Sequence, residues 1–296
     1  MMLHPLLTTL GRLFTRRHKS RRLDLHVIDS AVMGREMAFS SLSPPEVAHA
    51  GRTDPHVVYL LHGLGDDHRA LDRHGISDHL HDAMTNGAVP PVHLIMPHGE
   101  RGFWIDWHDG TRLYESHVVN EVIPEAEQIL GLEIPLERRH LMGVSMGGIG
   151  AMQMGLRRPD LFSSISSISG PILNEAQAVE HVKSSFARWF VDLKRIFGDC
   201  TDREFMESHN PFAIVRRKKN DPRQRIFLAA GRQEKEFFRG TSTGYHKFLD
   251  KNDVAHRFEI FEGGHGWRFW APVIERAISY AASHQRQDPQ GEQPYE

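Results

Sequence analysis

Apolar residues in this chain fall into two alternating rhythms. Short, nearly continuous apolar runs occur at 57–63 (VVYLLHG), 92–97 (VHLIMP), 139–145 (RHLMGVS), 163–170 (SSISSISG), 225–231 (RIFLAAG) and 256–264 (HRFEIFEGG). Runs of this length, several of them closed by Gly or Pro, predict strands buried on both faces. Segments with helical spacing and enough length for a crossover lie between most of them, as at 115–130 and 272–284. That alternation predicts an α/β fold: a mostly parallel central sheet with helices on both faces. Upstream, LDLHVIDSAVMGREMAFSSLSPP predicts two antiparallel edge strands that turn at Gly34 and stop at Pro44-Pro45. The segment 171–222 fits no strand–helix unit, and EHVKSSFARWFVDLKRIFG (180–198) within it predicts a helix. It reads as a lid-like helical insertion above the C-terminal edge of the sheet, where open α/β sheets bind ligands.

Composition changes this picture only at the ends. The 296 residues, 40% apolar and 25% charged, suit one α/β domain over 23–283. Residues 1–22 form a basic arm with Arg12, Arg16, Arg17, Lys19, Arg21 and Arg22 and no acid, so the body is more acidic than the net charge of −2. An acidic body gives nucleic-acid binding no support. In the arm, Leu3, Leu6, Leu7, Leu10, Leu13 and Phe14 recur at helical spacing. Such a segment packs on the body or a partner, or rests peripherally on an anionic membrane surface. Its charge follows its broken apolar stretch, the reverse of an export signal, and no membrane span is legible; a cytoplasmic location is the expectation. Cys200 is the only cysteine, which excludes an intramolecular disulfide. The tail 284–296 is polar with two prolines and predicts no packed structure.

Candidate chemistry centres on HLMGVSMGGIG at 140–150. The pattern G-x-S-x-G is the nucleophile elbow, a sharp strand-to-helix turn that exposes a serine hydroxyl, here Ser145, at the top of the sheet. A serine needs a base to take its proton and a third group to orient that base. On this scaffold the chain order is Ser, acid, His. His265 follows the last strand in a loop with Gly263, Gly264 and Gly266, and is the candidate base. For the acid, Glu234 lies three residues past Gly231 and is preferred; Glu236 is the alternative. Two backbone N–H groups should face the developing oxyanion: that of Met146, next to the nucleophile, and that of Leu64 behind His62-Gly63.

Three other clusters carry less. His62, Asp66, Asp67 and His68 invite a metal, but the pattern H-x-H-x-D-H would need His where Leu64 stands, and no i, i+4 histidine pair is present among His74, His79 and His81. No metal or other cofactor is expected. Phe103, Trp104, Trp107 and Tyr114 predict packing under the following helix, or else the wall of an acyl pocket. On that helix Val118, Val122 and Ile129 predict a buried stripe, with Glu121 placed to bond to a loop. RRKKNDP at 216–222 reads as a solvated loop.

Taken together, GREMAFSSLSPP, YLLHGLGDD, YESHVVNEVIPEAE, GVSMGGIGAM, RRPDLFSSISSISG, FGD before HNPF, and GGHGWRFW resemble the putative-esterase family of α/β-hydrolases. That family includes S-formylglutathione hydrolases, feruloyl and siderophore esterases and mycolyltransferases. The resemblance runs from about residue 23 to 283. It implies the α/β-hydrolase fold, Ser145 as nucleophile, His265 as base, and Leu64 and Met146 as oxyanion donors. Formylglutathione hydrolases carry Asp after CGTE where this chain has AGRQEKE; siderophore esterases, with glutamate three residues past the glycine, resemble it better. The expected function is hydrolysis of small carboxylic esters through an acyl-enzyme. An acyltransferase on the same residues, or a non-catalytic binding module, are the alternatives.

Overall fold

The computed structural model describes residues 22–49, 55–184, 192–217 and 224–283. Eight strands form one sheet: β1 (Asp24–Ser30), β2 (Arg35–Leu42), β3 (His56–Leu61), β4 (Val92–Pro97), β5 (Arg139–Val144), β6 (Ser164–Ile168), β7 (Arg225–Gly231) and β8 (Arg257–Phe261). Their spatial order is β1-β2-β4-β3-β5-β6-β7-β8. β2 runs antiparallel to β1 and β4, and every other pair is parallel. Gly34, at φ +64°, makes the turn between β1 and β2.

Each central strand is buried on both faces, and its alternate residues feed two cores. Val57, Tyr59 and Leu61 of β3, with Leu141 and Leu228, join one core; Val58 and Leu60, with Met142, Val144, Phe227 and Ala229, join the other. The first core is closed by the helices α2 (residues 114–130), α3 (Met146–Arg157) and α8 (Glu236–Lys251). The second is closed by α1 (Ile76–Thr85) and α9 (Trp267–Ala282). The period of two explains why near-continuous apolar runs were required.

Three elements depart from the sequence expectation. α2 is a composite of Tyr114–His117, a π-helical turn at Val118–Val122, and Ile123–Leu130. The wider turn rotates the later residues, so the buried stripe continues through Ile123 and Ala126 to the partly buried Leu130, and Ile129 is exposed. The helix expected over 180–198 is interrupted at Ser184, and its residues 185–191 lie outside the described residues; among the described residues the insertion is several short helices. It holds α4 (Glu175–Lys183), α5 (Leu193–Phe197), α6 (Arg203–Ser208) and α7 (Pro211–Arg217). Extended backbone at Ser184 ends α4, and an Asn174–Gln177 capping box starts it. Finally, α9 begins at Trp267, because the Gly266 carbonyl accepts from the N–H groups of Phe269 and Trp270, both at 3.0 Å.

Residues 1–21 of the basic arm and the tail 284–296 lie outside the described residues, as do 218–222 of the basic loop. Arg22 pairs with Asp78 at 2.5 Å, and Arg216 and Arg217 pair with Glu175 and Glu207. Among the described residues no helix is long and apolar enough to cross a membrane.

Candidate active site

Ser145 lies between the end of β5 and the start of α3, in a backbone conformation that few side chains adopt (φ +54°, ψ −118°). Its neighbours must be glycine for lack of space. A Cβ on Gly143 would stand 2.0 Å from the Gly147 carbonyl oxygen, and one on Gly147 would stand 2.0 Å from that of Leu61. The Ser145 N–H donates to the Ile168 carbonyl at 2.8 Å, which ties the turn to β6.

The loop after β8 brings His265 to the serine: Ser145 Oγ to His265 Nε2 is 2.9 Å. On the far side of the ring, Nδ1 is 2.7 Å from Glu234 Oε1. A carboxylate accepts only, so this contact assigns the imidazole proton to Nδ1 and leaves Nε2 to accept from the serine hydroxyl. Glu234 follows β7 and its side chain is fully buried. Its second oxygen accepts from the Gly231 N–H at 2.9 Å. Gly231 is itself confined, since a Cβ there would meet the Gly263 carbonyl oxygen at 2.4 Å. Burial pushes the Glu234 carboxyl up, but hydrogen bonds from His265, the Ser169 hydroxyl and the Gly231 N–H outweigh it and hold the group below its ordinary value. Glu236 instead opens α8, is exposed, and pairs with Arg239 at 3.2 Å.

Three residues that the sequence did not single out complete this environment. Ser169, fully buried at φ +56°, gives its hydroxyl proton to Glu234 and accepts from Trp270 Nε1 at 3.0 Å. Phe238 stacks on the His265 ring with centroids 3.6 Å apart, and Trp270 meets the ring edge-on at 4.9 Å. The available signal was position: Ser169 directly follows β6, at the same sheet edge that carries Ser145 and Glu234.

The loop bearing Leu64 passes beside the nucleophile, because a Cβ on Gly63 would lie 3.3 Å from Ser145 Cβ. Met146 is the first residue of α3, where an N–H has no intrahelical acceptor. Behind this loop His62 acts as a strut. Its Nδ1–H donates to the Gly63 carbonyl at 2.9 Å, and its Nε2 accepts from the Gly99 N–H at 3.0 Å. Both ring nitrogens are thereby used, which leaves His62 no lone pair for a metal. Burial pushes its pKa down to about 4, so the ring is neutral. The Trp104 indole N–H donates to the His62 carbonyl at 3.2 Å.

Of the aromatic cluster, Trp104 and Tyr114 are core residues, almost fully buried. Phe103 and Trp107 hold the insertion instead. Phe103 meets Phe197 edge-on at 5.6 Å, and Arg195 lies over Trp107 at 5.2 Å. Glu121 does bond to a loop: it accepts from the Val32 N–H at 3.0 Å, the Ser30 hydroxyl, and His117 Nδ1 at 2.6 Å. A second Ser–His contact, His140 with Ser163 and Ser164, sits at the N-terminal ends of β5 and β6, the opposite end of the sheet from Ser145.

With this geometry in view, the sequence matches the family described as Putative esterase over residues 30–280. The chain belongs to that family. Esterase relatives agree in sequence. An acetyl esterase of Caldicellulosiruptor saccharolyticus is 24% identical over 196 residues, covering 64% of this chain and 71% of that protein. An esterase of Mycobacterium tuberculosis is 28% identical over 231 residues, covering 74% of this chain; the match spans about half of that protein's length, 48%. Among solved structures, the fluorophosphonate-binding serine hydrolase F of Staphylococcus aureus superposes with a TM-score of 0.73 at 19% identity, over 88% of this chain and 98% of that one. The fold of this esterase is therefore that of the α/β-hydrolases, and carboxylic-ester hydrolysis is the activity its family and named relatives support.

Proposed function

We propose that this chain hydrolyses small carboxylic esters through an acyl-enzyme on Ser145, with His265 as general base and Glu234 as the orienting carboxylate. The observation that carries the reading is the unbroken line Ser145 Oγ, His265 Nε2, His265 Nδ1, Glu234 Oε1, with contacts of 2.9 and 2.7 Å. In the first half-reaction Ser145 Oγ attacks the ester carbonyl while Nε2 takes its proton. The imidazolium so formed lies between the tetrahedral oxyanion and the Glu234 carboxylate, which stabilises it. In this reading the oxyanion accepts from the N–H groups of Leu64 and Met146, the latter at the positive end of the α3 dipole. His265 then gives its proton to the departing alcohol, and water repeats the sequence in reverse to free the acid. The relative named an acetyl esterase supports a short acyl group. Ser145→Ala tests the proposal: turnover of p-nitrophenyl acetate should fall by about 10⁴–10⁶ with the melting temperature nearly unchanged. Wild-type turnover by that variant would end it.

A further inference from the structure

At the sheet end remote from Ser145, a second constellation joins the last turn of α8 to the entry of β8. His246 and Asp250 are one helical turn apart on α8, and His256 immediately precedes β8. One ligand atom from each lies within 4.8 Å of the others. His256 Nδ1 donates to the Val254 carbonyl at 2.8 Å, which leaves its Nε2 with a free lone pair directed at His246 Nδ1, 2.8 Å away. His246 Nε2 in turn stands 3.4 Å from an Asp250 carboxylate oxygen. A neutral His246 has one N–H for these two acceptors, so the cluster holds more lone pairs than protons.

We propose that His246, Asp250 and His256 bind a divalent transition-metal ion of the zinc type. Two imidazoles and a carboxylate are the donor set such ions take, with water completing four-coordination. Zn–N bonds of about 2.0–2.1 Å at tetrahedral angles put ligand nitrogens ~3.3 Å apart. The 2.8 Å between the two rings needs only a small opening to reach that. The bond from His256 to Val254 is the outer contact that fixes tautomer and ring direction in histidine metal sites. Phe258 stacks on His246 at 4.6 Å and steadies the other ring. Asp250 lies in the last turn of α8, where the helix dipole favours a cation. Its His256 ring is 3% exposed, whereas His246 and Asp250 open to solvent and give the ion a way in. The ion would pin α8 to the edge strand β8. It has no part in ester cleavage, because His256 precedes β8 whereas His265 follows its far end.

The test uses the full chain, stripped with EDTA and dialysed, then titrated with zinc chloride by calorimetry and followed by thermal melting. One zinc per chain should bind with a micromolar or tighter Kd. A hundredfold excess over that Kd should raise the melting temperature by about 5 °C. Magnesium and calcium should do neither. His246→Gln, at a partly exposed position, should weaken zinc at least tenfold while p-nitrophenyl acetate turnover of the stripped protein stays unchanged. His256→Gln should do the same where it folds, and His246→Gln is the deciding variant. No saturable zinc binding, an equal response to magnesium, or less than a tenfold loss in His246→Gln overturns the proposal. Ester turnover decides the Ser145 reading separately: the stripped protein should hydrolyse p-nitrophenyl acetate at the untreated rate whatever the zinc result.

Discussion

Replacing Glu234 with glutamine keeps the size of the side chain but exchanges one carboxylate oxygen for an NH₂ donor, and the surroundings dictate how the amide must lie. The Gly231 N–H, 2.9 Å from Oε2, requires an acceptor at that position, so the amide oxygen goes there. The NH₂ group is then left at the place of Oε1, 2.7 Å from His265 Nδ1. An N–H donor there forces Nδ1 to be the acceptor and moves the imidazole proton to Nε2. Nε2–H cannot take the proton of Ser145, and the charge that would stabilise the imidazolium is gone. A wrong tautomer of this kind costs about 10⁴ in kcat, or ~5.4 kcal/mol of barrier. Glu236→Gln breaks only an exposed pair with Arg239 and should change kcat by under tenfold. The assay is p-nitrophenyl acetate hydrolysis near neutral pH, normalised to folded protein by circular dichroism. A Glu234→Gln variant within tenfold of wild type, or a large loss at Glu236→Gln instead, refutes the tautomer argument.

Ser169→Ala removes a hydroxyl donor from the Glu234 carboxylate and the acceptor of Trp270 Nε1; kcat should fall about tenfold with KM within twofold, and the acid limb of the rate profile should move to higher pH because the carboxylate becomes more basic. An unchanged kcat and limb would show that this bond positions nothing. Glu121 gives a pH dependence of stability: burial pushes its carboxyl up, but bonds from Ser30, His117 and the Val32 N–H outweigh this and hold its folded pKa below the ordinary value. Its contribution is therefore complete above the unfolded carboxyl value of about 4.3 and is lost as pH falls through the lower folded one. Glu121→Gln should melt lower near pH 7 and lose less on acidification; parallel melting curves from pH 3 to 7 for the two proteins would contradict this.

The strands were legible because a parallel strand buried on both faces has to be apolar throughout, as β3, β5 and β7 are. Helix phase was less so. A π turn at Val118–Val122 adds a residue to one turn, and a pattern read at 3.6 per turn then puts Ile129 on the wrong face. Ser145, His265 and Glu234 stood out in sequence since each follows a strand's C-terminal end beside glycines; Gly143, Gly147, Gly231 and Gly263 have no room for a Cβ, whereas Gly264 and Gly266 beside His265 do. Ser169 shares the strand-end position and precedes Gly170, where a Cβ would stand 2.4 Å from Ser167 Oγ, but Phe238 and Trp270 carry no such mark. Their contacts cross between elements distant in the chain, as Ser169 and Trp270 do, and only the assembled sheet edge brings them to Glu234 and His265. The same holds for His246 and His256, which a helix end and a turn separate along the chain.

Labelling with a fluorophosphonate, followed by peptide mass spectrometry, addresses the central claim most directly, since the reagent phosphonylates a serine only where a neighbouring base activates it. Wild-type protein should take up about one label per chain, on the peptide containing Ser145, with ester hydrolysis lost in proportion. His265→Ala should label far more slowly. A label on another residue, or full ester hydrolysis by protein whose Ser145 is phosphonylated, would contradict the account.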